Sequence, residues 1–323
     1  MIATTPVARW TWGREHQSGD KVLACLEQHL AAYSVLARHR LLVDPPRVSV
    51  SVHRAGDSND FLFEGSFDIT ELSSWPQTLN DEVKAALDAG QKIGGVNARI
   101  SGSAVVLGGT CEENAFSIGA SAFLDYVSID LVTFSDAWMP FDLRGCSQPA
   151  VHERNAPRLS AALRDLSEVL DTETDPDDPT YFGKPTETGV ENYFEEDGSA
   201  SDVWGSFEIP YRNRVFRHEP RFTPGYKRSA DGVVQYVPVR GWHGVLGYLW
   251  ASDAENAASF EPRDDADEDG YKDGLAWLDR LGNAYDRGLS PSHALAELAG
   301  LSEGDSPDLL DLASLREKAS GTH

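Results

Sequence analysis

Between Asp171 and Glu208 the chain carries twelve acidic residues and a single basic one, Lys184. The solvation demand and mutual repulsion of so many carboxylates keep such a segment out of a hydrophobic interior. Pro176, Pro179, Pro185 and several glycines interrupt it. A basic stretch follows, with Arg212, Arg214, Arg217, Arg221, Lys227 and Arg228 and Glu219 as its acid. The reading is therefore a domain over 1–170, an acidic-then-basic connecting segment over 171–230, a smaller module over 231–300 and a flexible acidic tail over 301–323. A connection of this length is functional or flexible. Its aromatics, Tyr181, Phe182, Tyr193, Phe194, Trp204 and Phe207, favour packing over free disorder, and one strand is expected near Val203 to Ile209.

Within 1–170 the apolar spacing predicts a helix from Asp20 to His39, with Leu23, Leu26, Leu30 and Tyr33 on one stripe and Asp20 as cap. Val48, Val50 and Val52 alternate with Ser49, Ser51 and His53, the two-residue period of a half-buried strand. After the turn Ala55 to Asp60, Phe61, Phe63, Phe67 and Ile69 resume the alternation, giving a hairpin. A short helix is expected from Asn80 to Gly90, a strand over Ala98 to Leu107, and a central strand in Phe116 to Phe134. A strong helix is placed from Asn155, with Pro157 in its first turn and Leu159, Leu163, Leu166 and Leu170 as its stripe. This order predicts an α+β fold, an antiparallel sheet built from two successive ββα units with helices on one face. The smaller C-terminal module reads as a hairpin (Val233 to Arg240, Val245 to Ala251) and helices over about Tyr271 to Arg287 and from Ser290-Pro291 to Gly300.

The full chain has 323 residues, with 28 Lys+Arg against 52 Asp+Glu and a formal charge of −24. Phosphate and anionic lipid both attract cations, so nucleic acid and membrane surfaces are unfavourable partners. A hydrophobic fraction of 41% and an aromatic fraction of 10% argue against wholesale disorder. Cys25, Cys111 and Cys146 form no CxxC pair, so no disulfide framework or zinc ribbon is implied. Met1 to Arg14 lacks the pattern of a signal peptide, and the expected location is the cytoplasm. The Ala/Asp/Gly/Arg-rich, Lys-poor texture resembles that of proteins from high-GC bacteria.

Several constellations invite chemistry. Asp265, Asp267, Asp269 and Gly270 fit D-x-D-x-D-G, with Asp273 at the ninth position, a spacing that lets a tight loop present carboxylates to a divalent cation. The twelfth position is Ala276, so the closing bidentate Glu is missing. Asp175, Asp177 and Asp178 form a second knot that could direct metal-dependent hydrolysis, although prolines kink it and no His accompanies it. Cys146 and His152 offer a thiol and a base without a spacing that brings them together. Gly119 to Phe123 lacks the closing Gly of a nucleophile elbow. Trp242 and His243 occupy a hairpin tip. Trp75, Trp138, Met139 and Phe141 are assigned to packing. Asp125 and Asp130 point to opposite faces of one strand. The arginines of 211–228 interleave with Phe216, Phe222 and Tyr226, as in a single-strand-binding groove. The neighbouring acids offer them an internal countercharge instead.

No catalytic residues converge. The function expected is that of a non-catalytic acidic protein-binding protein, an inhibitor or immunity protein against a basic toxin. Its basic protein partner would meet Asp175, Asp177, Asp178, Glu195, Glu196 and Asp197. The alternatives are a metal-dependent hydrolase using loop carboxylates and a structural or assembly component. No cofactor is implied beyond a divalent cation at the aspartate clusters.

Overall fold

The computed structural model describes the chain apart from residues 17–18, 70, 88–90, 107–109, 217, 219, 242–243, 301–305 and 322–323, and apart from the side chains of Ser58, Val215, Pro220, Asp267, Glu268 and Asp269. The fold is α+β, in two compact units, Met1–Val203 and Trp204–His323.

The first unit is built on a seven-stranded antiparallel sheet. Its strands are β1 (Ala8–Glu15), β2 (Arg47–Arg54), β3 (Asp57–Asp68), β4 (Ile93–Val105), β5 (Cys111–Phe123), β6 (Tyr126–Thr133) and the two-residue β7 (Asp175–Pro176), in spatial order β3-β2-β4-β5-β6-β1-β7. Alternation decides which face is buried. Trp10, Trp12, Val48, Val50, Val52, Val96, Ala98, Ile100, Ile118, Ala120, Ile129 and Leu131 all turn to the helix side and are buried. Helix α1 (Lys21–Arg38) lies against β4, β5 and β6 on that side, and α2 (Trp75–Ala86) and α3 (Pro149–Leu170) pack against α1. The Trp12 indole donates to Ser167 Oγ at 2.9 Å, tying β1 to α3.

Three features depart from the sequence reading. Strand β1 was not expected, and 116–134 is a hairpin of β5 and β6 rather than one central strand, so the second unit of the expected pair carries three strands before its helix. The turn escapes notice because Leu124, not Gly or Asn, adopts a positive φ of 52° there. Helix α3 starts at Pro149 and encloses Pro157, and α2 starts at Trp75, so Asn155 and Asn80 are buried helix-interior residues and not caps. Residues 171–203 are also not a linker: they belong to the first unit, and they include the small hairpin of β8 (Lys184–Thr186) and β9 (Gly189–Glu191).

The second unit has a four-stranded antiparallel sheet in the order β12-β11-β10-β13, from β10 (Val233–Gly241), β11 (Gly244–Ser252), β12 (Ala257–Pro262) and β13 (Asp308–Asp311). A π-helical turn, Trp204–Glu208, runs into α4 (Ile209–Phe216), where a strand had been expected. One sheet face packs Leu249, Ala251 and Phe260 against Phe216 and against Leu278, Leu281, Ala294 and Leu295 of α5 (Asp267–Asp286) and α6 (Pro291–Leu298). The other packs Val234, Tyr236 and Trp250 against Leu312, Leu315 and Ala319 of α7 (Leu312–Ser320). The expected flexible tail is therefore a strand and a helix over 308–320, held because its apolar positions cover a sheet face that would otherwise be open.

Candidate functional site

The acidic segment 171–203 lies along the β1 edge of the first unit as an ordered strap. Backbone pairing places Asp175 opposite Thr11 and Pro176 opposite Trp10. Asp177 N–H donates to Arg9 O at 3.1 Å, Thr180 Oγ1 to Val7 O at 2.8 Å, and the Trp10 indole to Thr186 O at 2.7 Å. Farther along, buried Asn192 makes a two-way bond with the Phe141 backbone, donating to its carbonyl at 2.9 Å and accepting from its N–H at 3.1 Å. Tyr193 OH donates to Thr180 O at 2.7 Å, and the Lys184 ammonium stands 4.9 Å from the Tyr193 ring centroid. Phe182 and Val190 anchor the strap from below.

With the apolar residues turned in, the acids are turned out. Asp171, Glu173, Asp175, Asp177, Asp178, Glu187, Glu191, Glu195, Glu196, Asp197 and Asp202 are all exposed, and the remaining acid of the stretch, Glu208, is buried in the second unit. Tyr181 is 71% exposed and Phe194 is 54% exposed among these acids. Asp177 Oδ2 lies 3.8 Å from Arg9 Nε. Asp197 turns its own loop by accepting from the Ser199 N–H and hydroxyl, which hold its carboxyl below the ordinary aspartate range.

Beside the strap lies the sheet face turned away from the helices, and its pairing register gives straight rows of side chains. One row runs Ser66, Ser49, Arg99, Gly119, Asp130, Thr11, Asp175, so the strap's first strand continues the face. Arg99 lies 3.7 Å from Asp130, and the Asp130 carboxylate leans over Gly119, where a Cβ would stand 2.3 Å from Oδ1 and displace it. The next row runs Glu64, Ser51, Asn97, Ser121, Ser128, Gly13. The third runs Phe61, His53, Gly95, Phe123, Tyr126, Glu15 and bears exposed aromatics. Serine-rich β2 and β5 show this face in the sequence as the polar half of each alternation. Its aromatic end row was not foreseen, because Phe123 and Tyr126 flank an unmarked turn.

The other residues singled out from sequence are placed differently. The stretch 264–273 is not a wrapped loop: a 3-10 turn, Asp264–Ala266, leads straight into α5 at Asp267. Asp265 pairs with Arg263 and Asp273 accepts from the Trp277 indole at 3.0 Å, while the Asp267 and Asp269 side chains lie outside the described ones. Gly270, which imitates the loop glycine, is a close-packing residue whose Cβ would stand 3.0 Å from Leu246 O. Among the described residues no three His, Cys, Asp or Glu side chains are grouped to hold a metal ion. Asp125 lies in the β5–β6 turn. Cys111 and Cys146 are exposed, and Cys25 is buried with its thiol pushed up to about 12 by desolvation. Trp242 and His243 lie outside the described residues.

Among the described residues of the basic stretch, several are engaged within the second unit. Arg212 bonds Glu208 at 2.7 Å and stacks 4.7 Å from the Trp204 ring, Arg228 donates to Phe216 O at 3.1 Å, and Phe216 and Tyr226 are buried. Within the second unit Glu208 is the countercharge of Arg212. No helix among the described residues is long and apolar enough to cross a membrane. No protein-family model, curated protein or solved structure matches the chain.

Proposed function

We propose that the protein is a non-catalytic binding protein that docks a basic protein partner on its first unit, in the manner of an inhibitor or immunity protein. The observation that carries this reading is the strap: its eleven acids are all exposed on a hydrogen-bonded backbone, with Tyr181 and Phe194 standing out among them. Gathering like charges raises self-repulsion, and an ordered display lowers the entropy lost on docking. Exposed Tyr and Phe are the side chains that anchor interfaces, and an acidic rim steers a cationic partner toward them. Exposed, unpaired Cys111 and Cys146 fit a reducing cytoplasm.

The test is affinity capture from the native cell with the wild-type chain and with the double variant Glu195→Lys/Glu196→Lys. The wild type should retain a protein of basic pI whose binding weakens as salt rises, and the double variant should lose it. Capture of the same protein by both chains, or of a partner without net positive charge, defeats the reading.

A further inference from the structure

Glycine weakens a strand interior, so each one in a sheet calls for a reason. At Gly94 a Cβ would meet Arg54 O at 2.6 Å, and at Gly13 it would meet Tyr126 Oη at 2.0 Å. Gly95 is different. A Cβ there would find its nearest neighbours, Ala122 O and Phe123 Cδ2, at an ordinary 3.6 Å, and the backbone lies outside the left-handed region. Neither sterics nor conformation demands glycine at this position.

The missing side chain leaves a slot. His53 and Phe123 are the register partners of Gly95 on β2 and β5, and the Phe123 ring edge comes 3.6 Å from where a Gly95 Cβ would stand. The cavity, about 510 Å³, opens on the polar face of the sheet and is lined also by Arg54, whose guanidinium is paired with Asp60. Phe61 braces the His53 ring from behind with centroids 4.6 Å apart, while Phe123 is 61% exposed. Asn97, whose amide nitrogen is 2.9 Å from His53 Nε2, and Asp57 also line the cavity.

We propose that this slot receives the guanidinium of an arginine from the basic partner, a step that rests on the docking function proposed above. Guanidinium is planar, stacks on an aromatic face and donates in its own plane to carbonyl and carboxylate oxygens. The surrounding charge favours it: Met1–Val203 holds thirty-two acidic against fifteen basic residues. Lysine matches the charge but not the shape.

The experiment compares hexa-arginine with hexa-lysine by calorimetry on the full chain at fixed ionic strength. Hexa-arginine should bind about threefold tighter or better. Gly95→Val, which fills the slot from its floor, and Phe123→Ala, which removes a wall, should each bring hexa-arginine down to the hexa-lysine value and leave hexa-lysine unchanged. Equal affinities in the wild type, or a preference that survives both variants while their thermal melts stay native, overturn the proposal. Glu195→Lys/Glu196→Lys should weaken both peptides alike. If it weakens neither while the arginine preference persists, the acidic docking function falls and the slot stands.

Discussion

At the scale of single residues, His29 sets the acid limit of the first unit. It is fully buried on α1, with Nε2 3.1 Å from Ile118 O and the Trp75 ring edge-on at 6.0 Å. Its Nδ1 finds no partner among the described residues. Burial, assisted by the charge of Arg99, lowers its pKa to about 4 against the Ile118 bond. Between about 4 and the ordinary 6.5 the unfolded chain therefore takes the proton that the folded chain refuses. The stability this imidazole protects is complete above 6.5 and drains as pH falls, a loss of about 3 kcal/mol by the time pH reaches the lowered pKa. Urea unfolding at neutral pH and near pH 4.5 should show that loss in the wild type and a much smaller one in His29→Gln, which keeps a donor for Ile118 and cannot titrate. A variant as acid-sensitive as the wild type would show the proton acts elsewhere.

At the scale of elements, the boundaries that were legible are those whose caps are written locally. Asp20 accepts from Leu23 N at the start of α1, and Ser290 accepts from His293 N at the start of α6, as their sequence positions imply. Asn80 and Asn155 carry the same cap chemistry but spend it inside helices, donating to Asp20 and to Val151 O. Strands β12 and β13 went unseen for a different reason. Ala257–Pro262 is buried throughout and shows no alternation, and Asp308–Asp311 is ordered by pairing with β10. Asn192 is one of the strap's anchors. Asn192→Ala strands both the N–H and the carbonyl of Phe141 and should cost about 1–3 kcal/mol. Hydrogen exchange should accelerate through 180–200 with β2 and β4 unaffected. Uniform protection loss across the sheet would mean that Asn192 supports the whole unit and not the strap.

At the scale of the whole molecule, 52 acids against 28 bases leave the chain under net repulsion. Surface ion pairs such as Arg287–Glu297 at 2.6 Å are exposed and contribute little to offset it. Screening should therefore stabilise the protein. Raising sodium chloride from about 10 mM to about 200 mM, which shortens the Debye length several-fold, should raise Tm by calorimetry. A fall in Tm would place the dominant electrostatics in attractive pairs instead. The acid-dense stretch pointed to an exposed position for its residues, yet not to its attachment, because charge density forbids burial without saying what the backbone beneath it bonds to.

Local chemistry settled the α+β class, the alternating faces of β2, the hairpin of β10 and β11, and the outward fate of the carboxylates, since periodicity, caps and ion solvation act within a few residues. The strap's grip on β1, the docking of 308–320 on the second sheet, the helical course of 264–273 and the slot over Gly95 came from partners far away in the chain. Burial and strand pairing reward contacts across any sequence distance, and a glycine with room beside it is recognisable only once its neighbours on the adjacent strands are known.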